Sequence, residues 1–74
     1  MKIGQMANYT SFLDGEIYKT HILQLVSENE TSWRFSIDTS DNYHLTVGKS
    51  CGLDHTWYSG VNKTIKRRTL IEPF

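Results

Sequence analysis

The chain has little of what small domains use to hold themselves together. Cys51 is the only cysteine among 74 residues, so no disulfide can form within it. A lone thiol points to a reducing compartment. Proline occurs once, at Pro73, near the end, where it does no harm to a paired strand. No apolar run approaches the ~20 residues that span a bilayer. The opening MKIGQMANYTSF lacks the apolar stretch of a signal peptide. These absences predict a cytoplasmic protein without membrane contact. The formal net charge is zero, which argues against nucleic-acid binding by bulk charge. No phosphate loop, dinucleotide fingerprint or other catalytic motif occurs, and no cofactor is expected.

A chain this short buries only about 60–65% of the surface exposed when unfolded, so its stability is marginal without help. With disulfides excluded and metal ligands sparse, a second copy or a larger partner is the expected source of support.

What is present is alternation. In Thr31–Lys49, Trp33, Phe35 and Ile37 alternate with polar residues, and so do Tyr43, Leu45 and Val47. A period of two places each trio on one face of a pleated sheet. Thr39, Ser40, Asp41 and Asn42 between them favour a turn. Upstream, Asp14-Gly15 divides two apolar stretches, a strong hairpin signal because a type I′ turn needs positive φ at both central residues. That turn sets Leu13 against Glu16, Phe12 against Ile17 and Ser11 against Tyr18, with Phe12 and Ile17 facing the core.

The run Glu16–Val26 has two readings. As a strand it groups Ile17, His21, Leu23 and Leu25 on one face. As a helix capped by Asp14 it groups Tyr18, Ile22, Leu25 and Val26. β-branched and aromatic content favours the strand. His55–Ser59 and Thr64–Ile71 read as two more strands. The expected fold is a single all-β domain over residues 1–74, with 1–7 open to fraying. It is a small bent antiparallel sheet or a five-stranded barrel of SH3 or OB size. The alternative is α+β with residues 16–26 helical. The expected core is Phe12, Ile17, Leu23, Leu25, Trp33, Phe35, Ile37, Tyr43, Leu45 and Val47.

Candidate chemistry is thin. Cys51, Asp54, His55 and His44 are ligand types that suit zinc. They lack the paired spacing of a structural site, so no metal is expected. Cys51 with His55 lacks a recognisable oxyanion hole, and the chain reads as non-enzymatic.

Charge is segregated along the chain. Residues 1–48 carry three bases and six acids, and residues 49–74 carry five bases and two acids. Lys66 and Arg68 fall on one face of the last strand and Arg67 on the other. A strand charged on both faces reads as an edge, its charges guarding against unwanted pairing or making a contact. Trp57 and Tyr58, adjacent on a strand, must point to opposite faces. With Lys63, Lys66, Arg67 and Arg68 they form the candidate partner-binding set, since Trp, Tyr and Arg dominate interface hot spots. The expected function is occupation of a surface on a larger protein, as an inhibitor or adaptor of the kind carried by phages or mobile elements, with a homodimer expected. The alternative is a nucleic-acid-binding module, with residues 63–68 on phosphates and neighbouring aromatics on bases.

Overall fold

The computed structural model describes all 74 residues. Six strands form one antiparallel sheet: β1 Met6–Leu13, β2 Glu16–Glu28, β3 Ser32–Ile37, β4 His44–Gly48, β5 Asp54–Ser59 and β6 Ile65–Pro73. A single 3-10 turn, Val61–Lys63, precedes β6. The fold is therefore all-β, and Glu16–Val26 is strand rather than helix. The spatial order is β4-β3-β2-β1-β6-β5. Taken as a circle, every sequential pair is bonded except β4 with β5. The sheet is thus an up-and-down barrel left open at one seam, a curled half-barrel.

The Asp14-Gly15 turn forms as its sequence requires, with φ of 50° and 87° at its two central residues. It sets Leu13 against Glu16 and Phe12 against Ile17. The next pair departs from simple counting. Ser11 faces Lys19 instead of Tyr18, because Tyr18 is the extra residue of a β-bulge. A second bulge, at Val26, separates the Leu25–Phe35 pair from the Ser27–Arg34 pair. Bulges sharpen the local twist and bend the bulged strand. Two of them in one 13-residue strand account for the curl.

The concave face carries the core. Ala7, Leu23, Leu25, Phe35 and Ile71 are buried. Met1, Tyr9, Trp33, Ile37, Leu45, Val47 and Leu53 pack around them. Cross-strand pairing explains the set: Ala7 faces Leu23, Leu23 faces Ile37, Leu25 faces Phe35, Phe35 faces Leu45, and Tyr9 faces Ile71. The chain ahead of β1 joins this ladder, with the Gly4 N–H on the Leu25 carbonyl and the Leu25 N–H on the Gln5 carbonyl.

Three expected core residues are placed otherwise. Ile17 is 67% exposed. Past the Tyr18 bulge the alternation is reset, so Ile17 shares the outer face with Phe12, which is only half-buried. Tyr43 is also 67% exposed, just ahead of β4 at the end of the six-residue β3–β4 loop. Ala7 and Ile71 take the interior instead.

Truncation separates the two classes of position. Leu23→Ala should cost about 2–5 kcal/mol through the cavity it opens. Ile17→Ala should stay within about 0.5 kcal/mol, as surface changes do. Urea unfolding followed by tryptophan fluorescence measures both.

Candidate protein-binding surface

The β6 strand is not an edge. It lies between β1 and β5, paired to β1 over Arg67–Pro73 and to β5 over Ile65–Leu70. The expectation that Lys66, Arg67 and Arg68 lie on an edge strand is corrected by this placement. Its apolar half, with Ile71, enters the core, while its charged half runs past the core into solvent. The outer face of the sheet has no covering layer, so charged side chains there need no burial.

The free edges are β4 and β5. On β5, antiparallel geometry identifies which backbone groups are unused. The Ile71 N–H donates to the Leu53 carbonyl at 2.7 Å, and the register continues through His55–Thr69, Trp57–Arg67 and Ser59–Ile65. These are the hydrogen-bonded pairs, because bonded and non-bonded pairs alternate. The N–H and C=O groups of Asp54, Thr56 and Tyr58 therefore point away from β6, toward the open side. The same alternation from the Ile37–Tyr43 bond frees His44 and Thr46 on β4. The β4 edge is only five residues long and ends at Gly48. The β5 edge carries Trp57 and Tyr58, 39% and 56% exposed. It has no lysine, proline or bulge to blunt it.

The six candidate residues divide between the two faces. On the concave side, the Arg67 guanidinium lies 5.4 Å from the Trp57 ring centre, and its Nε donates to Ser59 Oγ at 3.1 Å. Both partners belong to the edge strand. Arg67 and Trp57 line a cleft of about 160 Å³ with Tyr9, Ser11, Leu13, Lys19 and Thr69, and Phe12, Tyr18 and Arg68 border it as well. On the outer side, Tyr58 faces Lys66. Arg68 holds Asp54 by a two-pronged ion pair, Nε to Oδ1 at 2.8 Å and Nη2 to Oδ2. Its guanidinium also sits 5.4 Å from the Phe12 ring. Arg68 is thus committed to clamping β5 onto β6 and β1. Lys63 stands on the 3-10 turn beside the left-handed Asn62 and is itself left-handed, with φ of 53°. Lys19, Lys63, Lys66 and Arg67 form no ion pair; the pairs present are Arg68–Asp54, Lys49–Glu28 and His21–Asp38. Lys19 lines the cleft although its sequence neighbourhood gives no sign of it. It stands on β2 opposite Ser11, on the concave face.

A second hollow, about 210 Å³, lies along the open seam between β4 and β5. Leu45, Val47, Leu53 and Ile71 line it, with Cys51 and His55 at its side. No three His, Cys, Asp or Glu side chains come together anywhere. Asp54, one of the ligand types noted above, is taken by Arg68. No helix is long and apolar enough to cross a membrane.

The chain matches no protein-family model, no curated protein and no solved structure. Its own geometry must carry the functional reading.

Three carboxylates have lowered proton affinity. The hydrogen bond from Arg68, then its charge, holds Asp54 below the ordinary range. His21 and then the Ile22 N–H do the same for Asp38, and Lys49 does so for Glu28. Asp54 in turn raises Arg68. A carboxylate with a lower pKa folded than unfolded stabilises the fold above its unfolded pKa, and that contribution is lost as pH falls through the folded value. Stability should therefore decline as pH drops below about 4, where unfolded carboxylates take up protons. Asp54→Asn should make this acid limb shallower, which urea midpoints measured from neutral pH down to about pH 2.5 will register.

Proposed function

We propose that this chain is a small non-enzymatic binding protein that docks on a larger protein through the β5 edge. The observation that carries this reading is the edge itself. Asp54, Thr56 and Tyr58 offer unpaired backbone donors and acceptors beside two exposed aromatics, Trp57 and Tyr58. An extended segment added there gains main-chain hydrogen bonds for affinity and side-chain contacts for specificity. Arg67, Lys63 and Lys66 border the same strand and supply charged donors. A domain of this size, acting by covering a surface, suits an inhibitor or adaptor of the kind carried by phages or mobile elements, working in the cytoplasm. Two free edges also allow a homodimer through one of them while the other still meets a partner. Light scattering tests this against the 8.6 kDa chain mass.

The alternative is a nucleic-acid module using residues 63–68. Cations beside aromatic rings favour it. Against it, two of the rings beside those cations already carry a guanidinium: Arg67 lies over Trp57 and Arg68 over Phe12. A base would have to displace a guanidinium to stack on that face. Arg68, moreover, is already neutralised by Asp54.

Thr56→Pro tests the edge. The N–H it removes points outward, so the β5–β6 ladder is retained. Tagged protein should capture a stoichiometric partner from lysate of the source organism, in the presence of nuclease. Thr56→Pro should abolish that capture, and Trp57→Ala should weaken it by about 2 kcal/mol or more. Capture unaffected by either substitution, or dependent on nucleic acid, would overturn the reading.

A further inference from the structure

The cleft beside β5 has a charge character that narrows the partner's chemistry. Among the residues around it are Lys19, Arg67 and Arg68, and no carboxylate. Arg68 is satisfied by Asp54, whereas Lys19 and Arg67 form no ion pair. Both free cations are held on aromatic rings, Lys19 Nζ 5.3 Å from the centre of Tyr18 and Arg67 Cζ 5.4 Å from that of Trp57. Such contacts fix a cation's position without neutralising it.

The Arg67 head group is also displaced toward the edge. Its Nε is tied to Ser59 and its plane lies over Trp57, both on β5. Its two terminal nitrogens make no hydrogen bond within the chain and can grip a carboxylate side by side. A strand added along β5 places one residue opposite Trp57 on the concave face, in the same row as Arg67 and Leu13. At about 160 Å³ the cleft is smaller than the ~300–1,000 Å³ of sites that enclose a drug-sized ligand. It has room for one side chain and a few waters, each of about 30 Å³.

We infer that the β5 edge receives an acidic extended segment of the partner, with a Glu or Asp side chain opposite Trp57 entering the cleft between Arg67 and Lys19. This rests on the edge-docking reading and deepens it. Charge complementarity selects the occupant: Arg67, drawn onto β5 and without an ionic partner, lies one strand behind the inward position that an added strand presents opposite Trp57, and Lys19 lines the same cleft from β2. The free terminal nitrogens of Arg67 suit an anion held by hydrogen bonds.

The test uses the isotope-labelled full chain and three blocked seven-residue peptides, alternating valine with glutamate, lysine or threonine, together with a single-stranded octathymidylate. The acidic peptide should shift the Trp57 indole N–H and the Arg67 Nε–H resonances, with a dissociation constant raised about tenfold by Arg67→Gln and about threefold by Lys19→Gln. The lysine peptide should not bind. Equal binding of the threonine peptide, an unchanged affinity in Arg67→Gln, no shift with millimolar acidic peptide, or tighter binding of the oligonucleotide would each overturn the acidic assignment. The two readings fail separately. Partner capture lost in Thr56→Pro yet intact in Arg67→Gln and Lys19→Gln leaves edge docking standing and removes the acidic segment. Capture indifferent to Thr56→Pro removes edge docking itself.

Discussion

The long strand β2 governs the rest of the molecule. Its 13 residues pair with β1 on one side and β3 on the other. No second layer exists to bury either face of the sheet. A flat six-stranded sheet would leave its apolar face in water, so the sheet must fold upon itself. The bulges at Tyr18 and Val26 permit this by bending β2 near both ends. Between them, His21, Leu23 and Leu25 keep strict alternation and point into the concavity. Leu23 and Leu25 become fully buried there. The five-residue link from β4 to β5 then has only to cross the mouth of the curl, and it leaves the seam open along the remaining edge.

Where alternation is unbroken, the sequence was a sound guide. Trp33, Phe35 and Ile37 share a face with Leu45 and Val47, and Phe35 sits at the centre of the core. The Asp14-Gly15 turn was legible because two successive left-handed residues leave few chemical choices. The displacement of Ile17 has a single physical source. A bulge inserts a single residue, and every side chain beyond it changes face. Ile17 lies beyond the Tyr18 bulge and is therefore on the outer face, although its apolar character matches Leu23. Nothing in the local composition around Tyr18 marks it as the extra residue. The bulge is a compromise between the hairpin register fixed at Asp14-Gly15 and the core register fixed at Leu23, and only the assembled sheet contains both.

The basic strand was misread for a related reason. Charge on both faces of a strand excludes an interior position only in sheets covered on both sides. Here only part of one face is covered. Ile71 occupies that part, and Arg67, four residues earlier, has already passed beyond it. Position within the sheet and exposure of the side chain are thus decoupled along a single strand. This leaves the neighbouring strand β5, not β6, with the unpaired backbone. The residues singled out in the sequence still surround that edge, because Trp57 and Tyr58 lie on it and face Arg67 and Lys66 directly.

Zero net charge does not mean uniform pairing: three of the eight acids are engaged in ion pairs. Asp54 is paired with Arg68, Glu28 with Lys49 and Asp38 with His21. Each such pair ties together strands or loops distant in sequence. Asp38 also accepts the Ile22 N–H and so pins the end of β3 to β2. Asp14 accepts the Lys66 N–H through its carboxylate and donates its own N–H to the Lys66 carbonyl, fixing the first hairpin to the start of β6. These contacts leave Lys19, Lys63, Lys66 and Arg67 without ionic partners at the same end of the sheet. Exposed ion pairs contribute little stability singly. Their larger effect here is one of distribution: Asp54, Glu28 and Asp38 are committed to internal contacts, while Glu16, opposite Leu13 in the row that holds Arg67, forms no ion pair. The cations without ionic partners thus gather at one end of the sheet, and the edge with unused hydrogen bonds lies next to them.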